Sequence, residues 1–108
     1  MEWLFMIIIG LVCVGIGITN RKGNLSTIHS YHYKRVTPED RIPFGKLVGL
    51  GTMIVGVGII LMGVCVYFAQ RLGQPTYNVI GTVLAVVGVI VGTGISIYAM
   101  IKYNKGIF

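Results

Sequence analysis

Three long apolar stretches separated by short polar ones dominate the pattern of hydrophobic and polar positions along the chain. No acidic or basic residue stands between Glu2 and Arg21, between Lys46 and Arg71, or between Arg71 and Lys102. Those gaps hold 18, 24 and 30 residues. A helix needs roughly 20 apolar residues to cross the hydrocarbon core of a bilayer. The pattern therefore predicts an all-α integral membrane bundle of three transmembrane helices, a single domain over residues 1–108, with spans at about 3–19, 44–69 and 77–101. At about 1.5 Å per residue the first span reaches only roughly 26 Å, so it has to cross with little tilt. A cleaved signal peptide is the rival reading of that segment. Met1-Glu2-Trp3 stands where a basic n-region should be, and Asn20-Arg21-Lys22 where a small-residue cleavage site should be, which argues against it.

The connections carry their own punctuation. Asn20-Arg21-Lys22-Gly23-Asn24 closes the first span with a glycine and turn-forming polar residues. Thr37-Pro38-Glu39-Asp40 has the order of a helix start, with Thr37 as N-cap, Pro38 at the first position and acids in the first turn. Pro43 is expected to interrupt it, because the residue before a proline avoids the helical region. The expectation is one short turn at 37–41 and a fresh helix entering the membrane near Pro43-Phe44. Gly73-Gln74-Pro75 marks a tight hairpin between the second and third spans. Trp3, Phe44, Tyr67, Phe68, Tyr77, Tyr98 and Tyr103 fall near span ends, where amphipathic rings form a belt at the membrane interface.

Composition agrees with this picture, and charge orients it. Only 12 of 108 residues are charged, against about a quarter in a soluble domain. Arg21, Lys22, Lys34, Arg35, Arg41 and Lys46 lie between the first two spans, Lys102 and Lys105 follow the third, and only Arg71 lies in the hairpin. An excess of Lys and Arg marks cytoplasmic loops. The first loop and the C-terminus are therefore expected in the cytoplasm and the N-terminus outside, in a multi-pass cell-membrane protein. The net charge of +6 is accounted for by an anionic inner leaflet as partner, and nucleic acid is not expected.

Glycine is the informative residue. Sixteen glycines are about twice the usual share. Gly49, Gly56 and Gly63 are spaced by seven along the second span, and Gly45, Thr52 and Ile59 extend them to a seam of alternating steps of four and three. Gly81, Ala85, Gly88 and Gly92, with Ser96 a turn further on, form a second seam on the third span. Small residues at such spacing let helix backbones approach closely, so both faces are expected to be helix contacts. Leu50–Leu61 also aligns without gaps to Ile80–Val91, with five of twelve positions identical. Duplication and convergent packing in a small alphabet both account for it; convergence is favoured, because the two helices run antiparallel.

Chemistry is sparse. Charged groups inside a membrane mark ion paths and proton relays, and these spans contain none. The proton-dependent multidrug exporters of small four-helix type and the ring subunit of rotary ATPases both need a mid-membrane acid that is missing here. Polar atoms within the spans are those of Thr52, Thr82, Thr93, Ser96, Cys13 and Cys65. Cys13 and Cys65 should differ in depth by roughly 9 Å at 1.5 Å per residue, too far for a disulfide. The one segment with chemical vocabulary contains Ile28, His29, Tyr31, His32, Lys34 and Arg35. His29 and His32 share a helix face, yet a zinc site needs further ligands, and only Glu39 and Asp40 are near in sequence. A short amphipathic helix on the cytoplasmic surface, a candidate interfacial or partner-binding segment, is the expected structure. No catalytic residue, metal or cofactor is expected.

Gly23-Asn24, then His29-Ser30-Tyr31-His32, Asp40-Arg41 and Gly45-Lys46 leading into a glycine-rich span, resemble small three-span membrane proteins of Gram-positive bacteria that carry a domain of unknown function. The resemblance covers most of the chain. It implies a bacterial cytoplasmic membrane and no assigned activity. The functional expectation is a non-enzymatic, homo-oligomeric membrane protein of accessory, immunity or scaffold-like role, the second copy inferred from small-residue faces in excess of what three helices need. The alternative is a pore, an ion channel or a holin-like protein, lined by Thr52, Thr82, Thr93 and Ser96.

Overall fold

The computed structural model describes residues 2–22, 33 and 35–106. Three helices, α1 (Glu2–Arg21), α2 (Arg41–Leu72) and α3 (Thr76–Asn104), are each long and apolar enough to cross a membrane. There is no strand among the described residues. The chain is an all-α, multi-pass membrane protein. α1 opens with Glu2 and closes with Arg21, each opposing the helix dipole at its own end.

One expected break is absent. A 3-10 turn at Pro38–Asp40 runs straight into α2, which begins at Arg41 rather than after Pro43. Pro43 is the third residue of α2, where its missing N–H would have had no helical partner, so it ends nothing. Thr37 stands in extended conformation before the 3-10 turn without a side-chain cap bond. At the other end of α2, Gly73 takes the left-handed conformation (φ 64°) and Gln74 N–H donates to Ala69 O at 3.1 Å, closing the helix before Pro75 opens α3.

α2 is the middle helix. Both α1 and α3 pack along it, and they do so on opposite sides. The geometry follows from glycine spacing. Residues seven apart nearly coincide around a helix, whereas residues two apart differ by about 200°. Gly49, Gly56 and Gly63 therefore form one stripe and Gly51, Gly58 and Cys65 another, almost diametrically opposed. The first stripe meets α1 in antiparallel register: Gly49 against Gly17, Gly56 against Gly10, Gly63 against Trp3. The second meets α3, with Gly51 against Gly92, Gly58 against Ala85 and Gly88, and Cys65 against Gly81. In lipid no hydrophobic force pulls helices together, so close backbone contact and dispersion have to hold them.

The contacts are close enough to exclude any side chain. A Cβ at Gly56 would lie 2.7 Å from Gly10 O, and one at Gly10 would lie 2.6 Å from Gly56 O. Gly17 and Gly49 face each other in the same reciprocal way, as do Gly51 and Gly92. The centre of the α2–α3 contact is looser: Cβ atoms at Gly58 and Gly88 would meet their nearest neighbours at 3.4 and 3.3 Å.

Elsewhere the helices are exposed, as lipid-facing surfaces must be. The best-buried hydrophobic side chains gather instead at the end carrying the basic residues. Phe44 and Ala99 are fully buried there beside Val36 and Val48, with Tyr33, Leu47, Met100 and Tyr103 packed around them. The opposite, hairpin end carries a ladder of rings, Trp3 on Tyr67 (4.9 Å), Tyr67 on Phe68 (5.6 Å) and Phe68 on Tyr77 (6.0 Å). From Lys46 to Tyr67 α2 rises about 31 Å at 1.5 Å per residue, close to the thickness of the hydrocarbon core.

Candidate functional site

Four groups of side chains carry polar chemistry or specific packing. The glycine seams come first. Gly49, Gly56 and Gly63 lie at the α1–α2 contact, and Gly81, Ala85, Gly88 and Gly92 at the α2–α3 contact. Thr52, three residues beyond Gly49 and about 60° off that stripe, lines a cleft with α3. Two contact stripes lie outside the seams read from the sequence: Gly51 with Gly58 on α2, and Gly10 with Gly17 on α1. Their heptad spacing is the signal that would have found them.

The second group is that cleft, about 210 Å³, lined by Gly51, Thr52, Val55, Gly92, Thr93 and Ser96. Thr52 Oγ1 already donates to Val48 O at 2.9 Å in its own helix. Thr82 is not part of the cleft. It lies on the surface beside Asn78, Val79 and Val83 and donates to Asn78 O at 2.8 Å. Eleven residues of α3, about 16 Å, separate it from Thr93. The four hydroxyls named as pore-lining therefore do not share one path within a single chain.

The thiols form the third group. Cys13 and Cys65 are both free. Cys13 stands against Gly56 on the α1 side of α2 and Cys65 against Gly81 on the α3 side. Nine residues, about 14 Å, separate Gly56 from Cys65 along the helix, so the two sulfurs differ in both face and depth.

The fourth group is the basic end, where side-chain hydrogen bonds join separate segments of the chain. Asn104, at the last turn of α3, is fully buried. Its Oδ1 accepts the Arg35 backbone N–H at 2.7 Å and its Nδ2 donates to Gly106 O at 3.0 Å. The chain before α2 is thereby strapped to the end of α3, which brings Val36 into the cluster with Phe44 and Ala99. Val36 N–H donates to Tyr33 O at 3.0 Å, and Arg41 lies over the Tyr33 ring at 5.7 Å. On the far side of α3, the Lys102 ammonium lies 5.8 Å from the Tyr98 ring and 5.3 Å from the Tyr103 ring. Tyr103 in turn meets Phe44 edge-on at 6.5 Å. Arg21 reaches across from α1 and donates to Lys46 O at 3.2 Å. Asn20, beside it, is almost completely buried.

Of the segment singled out in the sequence, Ile28, His29, Tyr31, His32 and Lys34 lie outside the described residues, and so does the interfacial helix expected there. Arg35 is the member that is described, and its backbone belongs to the strap. Among the described residues no three His, Cys, Asp or Glu side chains come together as a metal site.

No family model, curated protein or solved structure matches the chain, and its function has to be read from its own geometry.

Proposed function

We propose that the chain is a non-enzymatic accessory or scaffold-like component of a bacterial cytoplasmic membrane, with its basic end at the cytoplasmic face. One observation carries this reading. Two tight glycine seams fix three helices that hold no ionisable carboxylate, amine or imidazole between their ends, while the polar order of the molecule collects at one membrane surface. Coupling a gradient to transport needs a titratable group within the membrane, and these spans offer only hydroxyls and thiols. A scaffold needs what is present, a rigid anchor and a shaped, charged end.

Self-association is part of the proposal, but its ground changes. The small-residue faces that suggested a second copy meet helices of the same chain, so another protomer would have to use the lipid-facing side chains. Native mass spectrometry in mild detergent reads the copy number directly.

The experiment that tests the main reading is flux through the purified protein in liposomes under proton, sodium, potassium and chloride gradients. The expected result is no conductance above that of empty vesicles. Saturable flux of any of these ions, lost on Thr93→Val, would replace the scaffold with a pore built between copies.

A further inference from the structure

The two ends of the bundle differ sharply in charge. Seven of the eight described Lys and Arg residues lie at the basic end, against Glu39 and Asp40 as the acids, whereas the hairpin end balances Glu2 with Arg71. The net positive charge of the described residues is therefore concentrated at one end of the bundle.

That end has two unlike sides. Asn104 and Thr93 are eleven residues apart on α3, hence on nearly the same face. The strap through Arg35 and Val36 covers this side, the side of the hydroxyl cleft. Lys102 is nine residues from Thr93, half a turn round, and so points to the other side. On α2 the same side carries Leu50, Val57 and Leu61, all exposed, with Lys46 one turn before Leu50. An open apolar stripe thus runs along the bundle and ends at two lysines.

Lys102 is not a freely swinging surface cation. Tyr98 and Tyr103 flank its ammonium, and Tyr103 is anchored on the buried Phe44. Ring faces attract the ammonium and hold it at the depth of the aromatic belt, where lipid phosphates lie. Lys46 lies about 7 Å nearer the membrane centre, judged from the register of α2 on α3 at 1.5 Å per residue, a height difference that two lysine side chains can bridge.

We propose that this open face is a binding site for an anionic phospholipid, with its phosphate held by Lys102 and Lys46 beside Tyr98 and an acyl chain lying along Leu50, Val57 and Leu61. The site goes beyond a scaffold role and depends only on the chain being in a membrane, so it stands whether or not the protein proves to be a pore or to face the other way.

The test uses the full-length protein in detergent, titrated with phosphatidylglycerol or phosphatidylcholine of equal chain length and followed by native mass spectrometry. Phosphatidylglycerol should be retained preferentially, and Lys102→Gln should lower its binding about fivefold, the equivalent of roughly 1 kcal/mol for a basic side chain at an anionic surface. Lys105→Gln, three residues away and without flanking rings among the described residues, should bind as wild type does, and circular dichroism should show both variants equally helical. Equal retention of the two lipids would overturn the site, as would equal losses in both variants, which would mark bulk charge alone. Displacement of the lipid by millimolar inorganic phosphate would also overturn it, because the site would then be one for soluble phosphate.

Discussion

Alanine substitutions of the glycines provide a graded test of the packing. At Gly56 the added methyl would lie 2.7 Å from Gly10 O, 2.9 Å from Val14 Cγ2 and 3.0 Å from Cys13 Cβ. One of the three is backbone, so a rotamer change cannot relieve the clash; α1 has to move outward and lose contact along the seam. Overpacking of this kind costs about 1–3 kcal/mol. Alanine also favours a helix over glycine by up to about 1 kcal/mol on aqueous scales, and that term must be removed before the contact can be read. Gly94→Ala removes it, because a Cβ at Gly94 meets nothing within 4 Å. The two variants should thus differ by roughly 2 kcal/mol, Gly56→Ala being the less stable. Gly88→Ala, with its nearest neighbour at 3.3 Å, should fall between them. Trp3, the single tryptophan, packs against Tyr67 across the α1–α2 contact, so its fluorescence reports separation of these helices during SDS titration in bicelles. A Gly56→Ala protein as stable as Gly94→Ala would refute the seam.

Three further expectations follow from the same geometry. Gly10→Ala and Gly56→Ala act on one reciprocal contact, so the double variant should be less destabilised than the two single losses together, by at least about 0.5 kcal/mol in the same titration; strict additivity would mean that the two glycines do not share a contact. Asn104→Ala removes the Oδ1 acceptor of the part-buried Arg35 N–H bond, which costs about 0.5–1.5 kcal/mol; hydrogen exchange at Arg35 and Val36 should accelerate while that of α2 stays unchanged, and unchanged protection at Arg35 would count against the strap. With cysteines introduced at Gln74 or Thr37 in a background lacking Cys13 and Cys65, an impermeant maleimide should label intact cells at Gln74 and not at Thr37; the reverse would turn the proposed orientation round.

The three spans and the all-helical architecture are legible because a charge-free run of sufficient length has few alternatives. One of the two faces of α2 was legible on the same physical footing: Gly49, Gly56 and Gly63 repeat every seven residues. The second face is not implied by one seam per helix, because only a middle helix needs two. Gly51 and Gly58 carried that information in their two-residue offset from Gly49 and Gly56, which turns them to the opposite side. Pro43 was overread, since its position in the first turn removes the penalty that a proline carries deeper in a helix. The charge of the basic end is legible, but its strap is not. Asn104 is one asparagine near a C-terminus until the chain before α2 returns to it, and nothing in the spacing of either segment encodes that return.

The alignment of Leu50–Leu61 with Ile80–Val91 takes on a geometric meaning in the folded chain. Shifting each α2 residue to its α3 counterpart thirty positions later maps the contact of Gly51 with Gly92 onto that of Gly81 with Met62. It also maps the approach of Gly88 to Ile54 onto that of Gly58 to Leu84. α2 and α3 are thus related by a local two-fold axis through Gly58 and Gly88, perpendicular to the helices. An antiparallel pair packed about such an axis makes the same demand on both helices: where one backbone needs a small residue, its counterpart needs one too. Gly51 with Gly81 and Gly58 with Gly88 meet that demand, and packing alone suffices to select them. Of the other three identities, Val57 and Val87 are both exposed, and two pairs do not share environments. Thr52 is half-buried in the cleft while Thr82 is exposed, and Ile60 packs on Gly10 of α1 while Ile90 faces outward. A duplicated segment has no reason to retain identity at contacts more than elsewhere, whereas convergence explains the glycines by contact and leaves the rest to a restricted apolar alphabet. α1 has no counterpart under the two-fold operation, because the outer face of α3 is open. The asymmetry of the molecule, with one side of the hairpin covered and the other facing lipid, therefore comes from α1 and from the strap, not from the hairpin itself.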